Sequence, residues 1–209
     1  IPANIGTGHA YGVEFYAEKR PTSAGTRLTG WASYTLGRAE TTAYGGTFAA
    51  DYDRRHALSV VSSFRVSRLV EFGTTFRAQS GFPYTPALDV VPASVEDPVL
   101  TAEGTTRRVP LYDDFGLLVW SAAYGDTSNF NTTRLPFFAR VDARVTFRPR
   151  WANSRWQFYV EVINLLNRDN ASDMDVELAY DPESDRPTLT EVRSGRLPLL
   201  PSFGLRYRF

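Results

Sequence analysis

The sequence predicts an all-β protein: an antiparallel transmembrane β-barrel segment of about seven meandering strands, with short periplasmic turns and long extracellular loops. Two observations carry this expectation. Seven stretches alternate with period two, and one face of every stretch is free of charge. The connections between them alternate strictly between short and long.

The stretches are residues 10–18, 28–37, 57–66, 69–79, 139–147, 156–163 and 203–209, each near the roughly 9–11 residues with which a tilted strand crosses a bilayer. In the first, Tyr11, Val13, Phe15 and Ala17 share a face opposite Glu14 and Glu18. The second lines up Leu28, Gly30, Ala32, Tyr34 and Leu36. The third sets Leu58, Val60, Ser62, Phe64 and Val66 against Arg65, and the fourth sets Val70, Phe72, Thr74, Phe76 and Ala78 against Glu71 and Arg77. In the fifth, Ala139, Val141, Ala143, Val145 and Phe147 oppose Arg140, Asp142 and Arg144; in the sixth, Trp156, Phe158, Val160 and Val162 oppose Glu161. The last carries Phe203, Leu205, Tyr207 and Phe209 on one face and Arg206 and Arg208 on the other. A membrane wall would turn the uncharged face to lipid and the charges to the lumen. A soluble sandwich would turn the same uncharged face to its core, so alternation leaves both architectures open.

Connection lengths separate them. Residues 19–27, 67–68 and 148–155 are short; residues 38–56, 80–138 and 164–202 are long. Outer-membrane barrels keep short turns in the periplasm and long loops outside, whereas a sandwich has no reason to gather its long loops at one end. Parity agrees, since the last strand descends from a long loop and ends on the periplasmic side. Single-chain barrels have even strand numbers, so seven strands imply the C-terminal part of a larger barrel.

Composition is compatible with this and excludes other classes. Hydrophobic residues make up 43% of the 209 and charged residues 22%, and aromatic residues are plentiful (14 Phe, 11 Tyr, 4 Trp). No apolar run approaches the roughly 18 residues of a spanning helix. The chain has no cysteine, which excludes a disulfide framework, a thiolate metal site and a cysteine nucleophile, and suits an exported bacterial protein. Its 23 basic and 23 acidic residues balance without a long block of either sign, so nucleic acid is not an expected partner. Lys19 is the single lysine, which reflects a bias of the source genome. The opening Ile1-Pro-Ala-Asn-Ile5 has neither a basic n-region nor an apolar h-region, so the expectation is a cleaved leader or a piece of something longer.

Several segments, in order and spacing, resemble the TonB-dependent outer-membrane receptors, especially the group with an N-terminal carboxypeptidase-regulatory-like domain. They are Gly12-Val-Glu-Phe15, Leu28-Thr-Gly-Trp-Ala-Ser-Tyr-Thr-Leu36, Asp53-Arg-Arg-His56, Ser80-Gly-Phe-Pro-Tyr-Thr-Pro86, Arg140-Val-Asp-Ala-Arg-Val145, Val162-Ile-Asn-Leu-Leu-Asn-Arg168 and Leu200-Pro-Ser-Phe-Gly-Leu205. The resemblance spans essentially the whole chain. It implies a barrel of roughly 22 strands with a plugged lumen, of which this chain is the last seven, with plug, TonB box and signal peptide upstream. It further implies a bacterial outer-membrane location and uptake of a scarce ligand (iron chelate, vitamin, saccharide or peptide) with energy from the inner membrane. The implied partners are outer-membrane lipid and lipopolysaccharide, the chain's own N-terminal plug domain, TonB through the upstream region, and the barrel-assembly machinery. That machinery would read Phe203, Leu205, Tyr207 and Phe209. The lumenal charges would pack against the plug, paired across strands.

Signals of catalysis are scarce, and no enzyme activity or cofactor is expected. His9 and His56 are the only histidines, far apart, and His56 is expected to cap a strand at the outer rim. Gly6-Thr-Gly8 lacks the third glycine of a dinucleotide loop, and no phosphate loop, nucleophile elbow or EF-hand loop is present. Asp173, Asp175, Glu177, Asp181, Glu183 and Asp185 form an acidic stretch that could bind Ca²⁺ or bridge to lipopolysaccharide; a solvated polar loop is the preferred reading. Long loops on a rigid scaffold concentrate binding residues, and within 80–138 Tyr112, Asp113, Asp114, Phe115, Trp120, Tyr124 and Phe130 give aromatic rings beside carboxylates that suit sugars or peptides, with Tyr112, Asp113, Asp114, Trp120 and Tyr124 the leading candidates. The simpler alternative is that residues 111–123 extend the barrel as an extracellular hairpin. Competing classes are an adhesin or autotransporter barrel, an outer-membrane hydrolase built on His56 with Asp51 or Asp53, and a soluble carbohydrate-binding sandwich.

Overall fold

The computed structural model describes residues 6–100, 106–150, 155–181, 183–195 and 197–209. Seven strands form the main sheet: β1 (Thr7–Lys19), β2 (Leu28–Ala43), β3 (His56–Arg65), β4 (Val70–Gln79), β5 (Phe138–Phe147), β6 (Trp156–Ile163) and β7 (Leu200–Tyr207). They lie side by side in chain order, each antiparallel to the next, so the sheet is an open meander with β1 and β7 at its edges. All seven expected stretches are strands.

β1 starts at Thr7 instead of residue 10, paired to the extended end of β2, and the bounds of β2 and of the last strand differ for reasons visible in the pairing. β2 runs on to Ala43 instead of stopping at residue 37, because Gly46–Ala49 folds back on it, Ala43 facing Gly46 and Glu40 facing Ala49. The turn between them places Tyr44 at φ 52° and Gly45 at φ 78°, the double positive-φ geometry whose twist matches a hairpin. The expected long loop 38–56 is therefore largely a hairpin that prolongs the wall. The last strand starts at Leu200, not at residue 203, and ends at Tyr207, because β6 offers partners only from Ile163, facing Leu200, to Trp156, facing Tyr207. One more bond, Arg208 N to Arg155 O at 2.9 Å, closes the ladder, and Phe209 lies beyond it. Pro201, which has no N–H to donate, sits at the start of β7, opposite Val162.

The register carries the uncharged face without interruption across the sheet: Val13 faces Leu36, Ala32 faces Val60, Val60 faces Phe76, Phe76 faces Val141, Val145 faces Val160, and Val160 faces Phe203. Among the described residues no second sheet or helix covers this belt. Val13, Val160 and Phe203 are 54%, 57% and 88% exposed. Among the described residues the buried apolar side chains are Ala39, Ala50, Ala78, Val90, Leu135 and Ala171, mostly alanines, while Asp53, Asn164 and Asn170 are buried too. A sandwich core needs a second sheet over the apolar face; here the other sheets among the described residues are two-stranded. The arrangement is inside-out, with apolar surface outward and polar groups inside, as a lipid-facing wall requires.

Aromatic residues mark both ends of the belt. At the outer end Phe15 stacks on Tyr34 and Tyr34 on His56, with Tyr34 Oη 2.8 Å from His56 Nδ1. At the inner end Trp156 lies 4.8 Å from Tyr207, and Tyr207 meets Phe209 edge-on at 5.1 Å. Ten residue steps from His56 to Val66, at about 3.3 Å each and a tilt near 40°, cover about 25 Å, the height of an outer-membrane apolar band. Just above the outer ring the outward face acquires charge, with Arg38 paired to Glu40.

Candidate functional site

The functional surface has two parts, the polar face of the sheet and the outer rim with its hairpins. On the polar face Glu71, Asp142, Arg144, Glu161 and Arg206 line one hollow of about 380 Å³ together with Arg148. Two of its carboxylates are paired: Glu71 accepts from Arg148 at 2.9 Å and from Ser63 Oγ at 2.8 Å, and Arg140 bridges Asp142 at 3.0 Å. Arg144 stands opposite Gly73 and Glu161 and lays its guanidinium 3.7 Å over the Tyr159 ring. Tyr159 in turn folds over Gly204, where a Cβ would lie 2.4 Å from the ring, so no larger residue fits at 204 without displacing that stack.

The other expected lumenal charges are dispersed. Glu14 lines a second hollow beside Thr35 and Arg54, and Glu18 pairs with Arg20 at 2.9 Å near the inner turn. Arg65 faces Glu71 and reaches Ala24 O at 3.4 Å. Arg77 stands opposite Arg140 in the β4–β5 register, two like charges side by side. Arg208 lies past the end of β7, outside the strand in which it was expected.

The outer rim is organised by Asp53, the first residue of the Asp53-Arg-Arg-His56 segment. Its side chain is 1% exposed; Oδ1 accepts from Ala39 N at 2.6 Å, and Oδ2 accepts from Arg55 at 3.2 Å and from Arg134. Burial pushes the Asp53 pKa up, but the Ala39 amide and the Arg134 and Arg55 cations outweigh it and hold the carboxyl below the ordinary aspartate range. Arg134 also donates to Asp53 O at 2.7 Å and to Gly81 O at 3.2 Å, tying the two ends of the long loop to the rim. The His56 ring meanwhile bonds Tyr34, and Ser80 Oγ clips the His56 backbone. The structure therefore does not bring His56, Asp53 and a serine hydroxyl together.

Within the long loop, three hairpins replace the single one expected over residues 111–123. Asp89–Pro92 pairs with Trp120–Ala123, Ser94–Leu100 pairs with Thr106–Pro110, and Tyr112 bridges Leu118. They meet in a ring of three backbone bonds: Leu111 N to Ala93 O, Ala93 N to Val119 O, and Val119 N to Leu111 O, at 2.8–2.9 Å. The candidate ligand residues are thereby strung along one arm, Tyr112, Asp113 and Asp114 at its tip and Trp120 and Tyr124 at its base. Asp113 is committed to the turn, its Oδ1 accepting from Phe115 N at 2.9 Å and Leu117 N at 2.8 Å. Phe115, one of the aromatic candidates of this loop, is 89% exposed at the tip.

The acidic stretch forms a second outer hairpin, Asp173–Ala179 against Thr188–Ser194. Period two turns Asp173, Asp175 and Glu177 to solvent and Met174, Val176 and Leu178 inward. Among the described residues no group of three or more acidic or histidine side chains converges as a metal site. The hairpin is braced to the long loop: Arg186 donates to Asp89 and Val90 O, and Tyr84 Oη donates to Glu191 at 3.3 Å. Burial, then the neighbouring Glu191, raises the Tyr84 pKa.

No protein-family model and no curated protein sequence matches the chain. Among solved structures it is similar to the outer membrane transporter YddB from Escherichia coli, with a TM-score of 0.51 and 11% identity, over 98% of this chain and 26% of that one. The chain thus spans about a quarter of that transporter's length. At this identity the likeness is one of fold: the meander follows part of an outer-membrane barrel.

Proposed function

We propose that residues 1–209 are the C-terminal part of the barrel of a TonB-dependent outer-membrane receptor, with the plug domain and the earlier strands upstream. The observation that carries this reading is the uncovered apolar belt, backed by a paired arginine–carboxylate face, with every long connection at the same end of the sheet. The receptor captures a scarce ligand outside, an iron chelate, vitamin, saccharide or peptide, and admits it with energy transmitted by TonB. It works as a transporter, without a chemical step or cofactor of its own, in the outer membrane of a Gram-negative-type bacterium.

In this reading the free edges of β1 and β7 join upstream strands, and the Glu71–Arg148 and Arg140–Asp142 pairs face the plug. Lipid and lipopolysaccharide surround the belt, and the assembly machinery engages Phe203, Leu205, Tyr207 and Phe209. Phe209 supports that role because it stands free of the ladder, its ring fully exposed beside Tyr207. The test is the upstream reading frame together with uptake in a strain lacking TonB. A plug domain and TonB box are expected, with uptake lost and surface binding retained. A complete gene without either would refute the proposal.

A further inference from the structure

Arg54 is a cation at the outer rim that forms no salt bridge, although Glu14 and Asp53 line the hollow on its other side. Its neighbour Asp53 is fully engaged by Ala39, Arg55 and Arg134, and among the described residues no ion pair is formed by Arg54 itself. The guanidinium lies 3.8 Å over the Phe82 ring, and its Nε–H is buried without an acceptor, alone in this among the side-chain nitrogens and oxygens of the described residues. Stacking satisfies the face of a guanidinium and leaves its in-plane donors unmade, and a buried unmade donor carries the full cost of its desolvation. Burial pushes the Arg54 pKa down, the same imbalance seen from the proton's side.

Beside Arg54 is a cavity of about 150 Å³, walled by the two ends of the long loop and by Asn170, Ala171, Ser172, Gly195 and Leu197. At about 30 Å³ per water it has room for about five water molecules. Phe82, Leu135, Phe138 and Leu197 give it apolar walls, and none of its lining residues is acidic. The second arginine in the lining, Arg140, is already answered by Asp142; the Asn170 amide is spent on the Ala139 backbone and the Ser80 hydroxyl on His56. What remains is one unpaired planar cation in an enclosed, apolar-walled space of the size of a small anion.

We propose that this cavity binds a small oxyanion, a carboxylate or phosphate group of a solute, held by the in-plane donors of Arg54. The fork of a guanidinium matches the two oxygens of such a group, and the low-polarity walls strengthen the pairing. The walls admit a small solute or the end of a larger one and leave no room for a folded domain. Its part in uptake rests on the receptor reading above; the binding itself does not.

The experiment uses the full-length protein in a zwitterionic detergent, titrated with sodium acetate and, separately, inorganic phosphate, against chloride at equal pH and ionic strength. Calorimetric binding and the thermal midpoint are read for the wild type, Arg54→Lys and Arg54→Gln, with heat-modifiable migration reporting that each barrel is folded. The expected result is saturable binding and an upward shift of the wild-type midpoint by acetate or phosphate but not chloride. The affinity should be at least about tenfold weaker in Arg54→Gln, with Arg54→Lys between the two. A folded wild type that responds to neither anion beyond chloride overturns the proposal, as does an equal response in Arg54→Gln. Either outcome leaves the receptor reading intact, and a gene without plug or TonB box would fail that reading without touching the anion site.

Discussion

The wall and the outer hairpins are both antiparallel β-structure, yet they are held by different forces. In the wall, backbone ladders do the joining and the side chains need only be apolar on one face and polar on the other, so Val60 can face Ala32 and Phe76 with no specific partner. In the hairpins and at their junction with the wall, single Asp and Asn side chains fasten particular backbone groups: Asp53 to Ala39, Asp113 to Phe115 and Leu117, Asn131 to Ala49, Asn164 to Arg168 and Leu197. The wall tolerates exchange within a class and fails when the class is wrong. The outer region tolerates change at its solvated faces and fails when one clip is removed.

The strongest way to break the outer region is Asn164→Ala. Asn164 is fully buried at φ 53°, its side chain donates to Arg168 O at 3.0 Å and Leu197 O at 2.6 Å, and it accepts from Arg168 N at 3.2 Å. Losing these bonds in a left-handed residue should cost about 3–4 kcal/mol, read as a lower midpoint in urea unfolding of the folded barrel. The strongest way to break the wall is Val60→Arg, a charge on the outward face, which should cost about 2–4 kcal/mol in lipid while Val61→Arg, one residue on and turned inward, costs well under half of that. Equal costs at the two positions would contradict the two-faced wall.

Asp53→Asn is the next effect down, about 2–3 kcal/mol, because Arg134 and Arg55 lose their buried counter-charge but retain partial solvation. Its pH signature is specific. A carboxyl held below its unfolded pKa of about 3.9 contributes stability above that pH and loses it as the pH falls through the lower folded value. The wild type should therefore lose stability in acid, and Asp53→Asn should lose less over the same range. The smallest effect is expected from Arg38→Ala: its pair with Glu40 lies at the surface, and the urea midpoint should not move measurably.

The same contrast explains what could be read from the sequence. Strands follow a period of two, so β1 to β7 were legible wherever Tyr11, Val13, Phe15 or Val70, Phe72, Phe76 repeat on one face. The extension of β2 to Ala43 was not, since Arg38 and Glu40 break the outward pattern once the wall rises past the bilayer and both faces meet water. The terminal strand was read two residues too far, because alternation continues to Phe209 while the partner strand stops at Trp156. Asp53, Asn164 and Asn170 act through side-chain bonds to backbone groups 4 to 33 positions away, and composition carries no trace of such partners. A weak signal existed at Asn164 and Asn167, both at positive φ, where asparagine is enriched. The unpaired Arg54 was invisible because Asp53-Arg-Arg-His56 looks balanced until the structure shows where each charge is spent.

The central claim is that one face of this sheet meets lipid and the other does not. Residues 1–209 contain no cysteine, so, with any upstream cysteine replaced, single cysteines can be placed along β3 of the full-length protein in liposomes and spin-labelled. Labels at Leu58, Val60 and Phe64 should be accessible to molecular oxygen dissolved in the bilayer, and labels at Ser59, Val61 and Ser63 to a water-soluble relaxation agent, alternating residue by residue. Uniform accessibility along the strand, or alternation of the opposite sense, would contradict the account.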